Sequence, residues 1–96
     1  MSIAFEYDPE KSSQNEEKHG IDFIRAQTLW KVPHVIILAK NISGEHRYAI
    51  LGKIHERVHV AIFTYRGTTV RLISCHKGDA RRERDYERLL HEKKEN

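Results

Sequence analysis

Hydrophobic and polar positions along the chain change period several times, and each change marks an element. Ile3, Phe5 and Tyr7 alternate with Ala4 and Glu6, which predicts a short strand with one apolar face. Asp8-Pro9 reads as a helix N-cap followed by a first-turn proline: the carboxylate can accept an orphan N–H, and proline has none to leave unsatisfied. The helix predicted from Pro9 to Lys18 is almost wholly polar and is expected to lie on the surface, with Gly20 as its left-handed stop. Asp22 caps a second helix in which Phe23, Ala26, Leu29 and Trp30 face the core, and Pro33 ends it.

Beyond Pro33 the period shortens. His34 to Ala39 holds the run Val-Ile-Ile-Leu, too short for a buried helix and rich in β-branching, hence a strand. Asn41 to Glu45 is a turn, Arg47 to Ile54 the next strand, His55 to Arg57 its turn, and Val58 to Tyr65 the strand after that. In this last strand Val58, Val60, Ile62 and Thr64 share one face, and His59, Ala61, Phe63 and Tyr65 the other. Arg66-Gly67-Thr68 is a hairpin signal, and Thr69 to Cys75 completes the set, with Val70, Leu72 and Ser74 opposing Arg71, Ile73 and Cys75. Asp79 caps a final helix from Ala80 to about Lys93 whose Tyr86, Leu89 and Leu90 form a narrow apolar stripe; residues from Glu92 onward are expected to fray.

These elements predict an α+β fold: a short N-terminal strand, two helices, a four-stranded antiparallel meander and a C-terminal helix. At 96 residues the chain reads as one domain, with a thin core and a shallow site. Charged residues make up 32% of it and apolar ones 39%, a balance that suits a small domain with a heavily charged surface. A single cysteine, Cys75, excludes an internal disulfide and fits a reducing compartment. No apolar run reaches the roughly 20 residues of a membrane span, and the start lacks a signal-peptide pattern, so a cytoplasmic location without membrane contact is expected.

Charge sharpens the picture. The net charge is +3, and between Lys40 and Lys77 seven Lys or Arg stand against two acids, with four histidines interspersed. The hairpin from Phe63 to Lys77 carries Arg66, Arg71, His76 and Lys77 with few acids near them in sequence. Such a row of cations is either solvated decoration or a site for a phosphate-bearing partner. His55 and His59 sit four apart but on either side of a turn, and no metal site or cofactor is expected from them.

Several polar identities at fixed spacing point further. Phe5-Glu6-Tyr7-Asp8-Pro9, Lys11, Asn15, Lys18-His19-Gly20, Phe23 and Ala26 resemble the opening signature of the BrnT family of type II toxins. The likeness continues through Glu45, Arg47-Tyr48, Leu51-Gly52, Thr64, Arg66, Arg71-Leu72-Ile73-Ser74 and Arg82-Glu83-Arg84 to Tyr86. This resemblance implies a bacterial ribonuclease toxin with a RelE-like fold. Its expected partners are RNA as substrate and a BrnA-like antitoxin with a ribbon-helix-helix domain, through which alone it would touch operator DNA. The chain departs from the family pattern at Ser74-Cys75-His76-Lys77, where His76 stands in place of an expected arginine, and Gly78-Asp79 lengthens the following loop.

RNA supplies its own nucleophile, the 2′-hydroxyl, so such an enzyme needs a base, an acid for the departing 5′ oxygen, and cations for the phosphorane. Arg66 and Arg71 suit the cationic task because the guanidinium fork matches phosphate oxygens. His76 can serve as acid or base, and His19 either joins it or merely complements the end of the first helix. Lys77, Arg47, Tyr65 and Lys18 are the expected RNA contacts, although Tyr65 and Phe63 can equally be packing residues, and Lys18 and Lys11 can pair with glutamates on the helix surface. A non-catalytic module of the same fold, binding antitoxin or nucleic acid, is the alternative.

Overall fold

The computed structural model describes residues 2–95. In chain order the elements are β1 (Phe5–Glu6), α1 (Pro9–His19), α2 (Phe23–Ala26) continuing as a 3₁₀ turn (Gln27–Trp30), β2 (His34–Leu38), β3 (Tyr48–Ile54), β4 (Arg57–Arg66), β5 (Thr69–Lys77) and α3 (Ala80–Glu95). The strands form one five-stranded sheet in the order β1-β5-β4-β3-β2. β2 to β5 are antiparallel neighbours, while β1 adds to the outer edge of β5 in parallel, so the sheet is mixed rather than the purely antiparallel four strands expected.

The polar caps act locally as their chemistry requires. Asp8 accepts from the Glu10 N–H at 2.9 Å, Asp22 from Arg25 N–H at 2.8 Å and Asp79 from Arg82 N–H at 2.9 Å. Gly20 closes α1 at φ +76°, its N–H donating to the Glu16 carbonyl. The second helix is shorter than expected: one α turn tightens into the 3₁₀ segment, which carries Leu29 and Trp30 down onto the sheet. Gly52 permits that approach, since a Cβ there would come within 3.1 Å of Leu29 Cδ2. At the other end, α3 keeps its helical backbone through Glu95 rather than fraying from Glu92; Asn96 lies outside the described residues.

Two apolar layers flank the sheet. On one face Ile21, Phe23, Ala26 and Leu29 pack against Ile50, Ala61, Phe63 and Leu72. Phe63 is fully buried there, with the Trp30 ring 5.0 Å away; burying such a side chain stabilises the fold by about 2 kcal/mol. On the other face the stripe of α3, Tyr86 with Leu89 and Leu90, covers Val35, Leu51, Val58 and Val60.

The expected face assignment along β5 is corrected by a β-bulge. Ile62 pairs with Ser74 and Phe63 with Leu72, which leaves Ile73 as an extra residue. Val70 and Leu72 therefore share the core with Cys75, not with Ser74, and Arg71, Ser74 and His76 lie together on the α3 face of the sheet.

Helix α1 also departs from expectation. Its buried residues are polar, Ser12 and Asn15, and they dock it. β1 pairs with Val70 and Arg71, so among the described residues the outer edge of β5 beyond them has no strand partner. Asn15 takes that role: its Oδ1 accepts from the Cys75 N–H at 3.2 Å, and its Nδ2 donates to the Cys75 and Ile21 carbonyls at 2.7 Å each. Ser12 Oγ accepts from the Phe23 N–H at 2.9 Å, tying α1 to α2 as well. Replacing Asn15 by Ala strands a buried N–H and two carbonyls, and should lower unfolding free energy by about 3 kcal/mol. Urea denaturation measures it, and a loss no larger than that of the exposed control Gln14→Ala would contradict this role for Asn15.

Candidate functional site

Where β4 turns into β5, Gly67 takes φ +61° in a two-residue hairpin loop, which sets Arg66 and Arg71 near one another on paired strands. Arg71 stands opposite Glu6 on one side and Thr64 on the other. That register produces a 2.7 Å ion pair between Arg71 Nη1 and Glu6 Oε2, across 65 residues of chain. Thr64 is buried and donates its hydroxyl to the His46 carbonyl at 2.7 Å, which holds the segment that carries Arg47 into β3 against β4. Arg47 in turn pairs with Glu45 at 3.3 Å.

Of these side chains, Glu45, Arg47, Thr64, Arg66 and Arg71 line a cavity of about 210 Å³, and Glu6 adjoins it through its ion pair with Arg71. Lys11, Arg47, Arg66 and Arg71 face it against Asp8 and Glu45, and the Asp8 carboxylate is already engaged in capping α1. Arg66 has no ion pair or side-chain hydrogen bond among the described residues. A guanidinium held by one carboxylate still has free N–H donors, so Arg71 and Arg47 are oriented rather than saturated. Such a cluster is suited to an anion with several oxygens.

The histidines lie elsewhere. The His19 and His76 rings are 5.8 Å apart, brought together because Asn15 seats the end of α1 on β5. His76 pairs with Val60 and Arg71 with Thr64, four positions away along β4, which puts the two about 13 Å apart at the usual strand rise. The four residues expected to act together thus fall into two pairs, Arg66 with Arg71 and His19 with His76. Burial lowers the His76 pKa, and the neighbouring His19 and Arg82 reinforce the shift. Burial pushes the Cys75 thiol up to about 12, leaving it a core residue with no thiolate to offer.

Of the expected RNA contacts, Arg47 belongs to the cavity. Lys77 lines a different pocket together with His19. Tyr65 lies on the opposite face of the sheet from Arg71, half-exposed, with its ring edge-on to Tyr48 and Phe63. Lys18 is exposed on the last turn of α1. Neither Lys18 nor Lys11 forms the expected ion pair with a glutamate among the described residues, and Lys11 points to the cavity instead. Glu6 is the residue that reasoning from sequence missed as a site member: its alternation with Phe5 and Tyr7 gives its face, but its partner depends on a long-range parallel pairing. Among the described residues no three His, Cys, Asp or Glu side chains are grouped as a metal would require, and no helix is long and apolar enough to cross a membrane.

The family model of BrnT, the ribonuclease toxin of type II toxin-antitoxin systems, matches residues 7–83. No curated protein matches the chain.

His59 and His76 together make stability depend on pH. Both pKa values are lowered from the ordinary 6.5, chiefly by burial, so the unfolded chain binds these protons more tightly than the folded one. Their penalty is absent above 6.5 and grows as pH falls through 6.5 toward the depressed folded values. The urea midpoint should therefore drop between pH 7.5 and 5.5, and the double variant His59→Gln/His76→Gln should drop less. Equal declines in the two proteins would rule out these imidazoles as the cause.

Proposed function

This chain belongs to the BrnT family of ribonuclease toxins of type II toxin-antitoxin systems, and on that premise we propose that it is an endoribonuclease acting at the Arg47–Arg66–Arg71 cavity. What carries the reading is the convergence of three guanidinium groups and Lys11 on one small cavity, with a carboxylate fixed against Arg71.

In this reading the scissile phosphate sits against Arg66 and Arg71. Glu6 accepts the proton of the 2′-hydroxyl, whose oxygen attacks the adjacent phosphorus. The bond to the 5′ oxygen breaks, leaving a 2′,3′-cyclic phosphate on one fragment and a 5′-hydroxyl on the other. Arg66, free of a carboxylate partner, takes up the charge that grows on the phosphorane oxygens, and Lys11 supplies a proton to the departing oxygen. No step calls on a metal ion. His76 is too far along β5 to serve the same phosphate, and with His19 it contacts a neighbouring part of the strand.

The partner in this proposal is an antitoxin of the ribbon-helix-helix type that covers the basic cavity and links the toxin to operator DNA. The sheet with α1 and α2 at one edge and face and α3 on the other is compatible with a RelE-like domain in the cytoplasm, where its RNA substrate is found. One observation favours the alternative of a non-catalytic binding module: two of the three arginines already have carboxylate partners.

Cleavage assays separate the two. With purified antitoxin-free protein in EDTA, RNA should be cut, and Arg66→Ala or Arg71→Ala should each slow cleavage by about 10²- to 10³-fold. Glu6→Gln keeps a hydrogen-bond acceptor for Arg71 yet removes the base, and should lower kcat by at least about 10²-fold while RNA affinity stays near wild type. Absence of cleavage by the wild type favours the binding module, and cleavage undiminished in all three variants places the chemistry elsewhere.

A further inference from the structure

A second pocket, of about 350 Å³, lies on the face of the sheet opposite Arg71, between the end of α1, helix α2 and the β3–β4 turn. Arg25, Arg57 and Lys77 line it with His19, His55 and His59, and no carboxylate is among its lining residues. The arginine cavity, by contrast, contains acids. We propose that this pocket holds a second phosphate of the RNA strand, several nucleotides from the one that is cut. The inference rests on the reading of the chain as an RNA-cleaving toxin.

Three features support a built site. His59 is only 7% exposed, and its Nδ1–H donates to the Arg57 carbonyl at 2.8 Å. A carbonyl can only accept, so the proton is on Nδ1 and the other ring nitrogen, Nε2, carries the free lone pair. Nε2 has no protein partner, yet among the described residues no buried side-chain nitrogen or oxygen lacks one. Nε2 therefore keeps contact with solvent at the pocket it lines. Burial lowers the His59 pKa first, and Lys77, Arg57 and Arg25 lower it further, which places their charges within range of the same ring. An anion among them would relieve that repulsion and favour proton uptake at Nε2, which turns this lone pair into an N–H that donates to the anion.

The turn at the rim has an unusual backbone. His55 and Glu56 take φ +52° and +66°, a pair of left-handed positions that Asn-Gly would fill more readily. The strained turn brings an imidazole to the pocket that Asn-Gly would not.

The pocket also joins the first site along one path. From Arg71 the α3 face of β5 leads through Ser74 to His76, whose ring meets His19, and His19 lines the pocket beside Lys77. Arg71 and Lys77 are six residues apart but span five paired positions because of the bulge, about 17 Å at the usual strand rise. Single-stranded nucleic acid tracks such cationic paths over sites of roughly 4 to 16 nucleotides. An RNA strand with a phosphate at each end of this path is favoured over an acidic protein segment because the donors are spread along a line and include imidazoles without carboxylate partners.

The test measures binding of a 16-nucleotide single-stranded RNA as a function of salt for wild type and for Arg25→Ala/Arg57→Ala, whose exposed side chains leave the core intact. Loss of the contacts to this one phosphate should weaken binding and flatten the slope of log affinity against log salt by about 0.7. The His59 ring signals should also shift on RNA addition in the wild type and not in the variant. Unchanged affinity and slope would overturn the second phosphate while leaving cleavage at the arginine cavity, read from Arg66→Ala, untouched. Loss of antitoxin binding with RNA binding unchanged would overturn it in favour of an acidic protein segment. A wild type that binds no RNA would overturn both readings.

Discussion

The architecture depends on how the chain completes the outer edge of β5. A strand edge presents N–H and C=O groups that need partners, and β1 is two residues long, so it satisfies just the beginning of that edge. The carboxamide of Asn15 finishes the work by presenting an acceptor and a donor to Cys75 as an adjoining peptide would. Its second N–H bonds to Ile21, so one side chain fixes α1, the loop after it and the sheet relative to each other. The position of His19 against His76, and of both pockets around β5, follows from that attachment.

Electrostatics then divides the cationic surface into two kinds. Around the arginine cavity, carboxylates from β1 and from the turn before β3 hold Arg71 and Arg47, which orients these two guanidinium groups at the expense of part of their charge and leaves Arg66 without such a partner. At the other end of β5 there are no such acids in the pocket lining, and burial with the nearby cations lowers the pKa of His59, which keeps its ring from adding to their charge. The first arrangement suits a group that must be aimed. The second suits a contact that gains strength when an anion arrives.

Much of this fold was legible in the sequence because its signals are local. Asp8, Asp22 and Asp79 cap helices as their positions predict, and the alternation through β4 assigns its two faces correctly. What could not be read depends on partners far away in the chain. Nothing in the neighbourhood of Asn15 marks it as a substitute for a strand, and a polar helix reads as surface whether or not one of its faces is docked. Glu6 and Lys11 join the site through the parallel pairing of β1 and the docking of α1, neither of which has a sequence period. The bulge at Ile73 was invisible for a related reason: simple alternation carries no mark where one residue is skipped, and the error passed to every face assignment beyond it.

That skipped residue has a consequence for how the chain can change over generations. Arg71 is odd-numbered and His76 even, and a regular strand would show them to opposite sides. Ile73 acts as a parity switch that lets both share one side of the sheet. Point substitutions along β5 leave the parity alone, so they alter the path one group at a time. Deleting Ile73 would leave Arg71 and His76 four positions apart on a regular strand and so still on one side, whereas straightening the bulge at constant length would divide the path between two sides. The shared face therefore depends on an even number of paired positions between the two groups, which a single deletion can preserve and a lost bulge cannot.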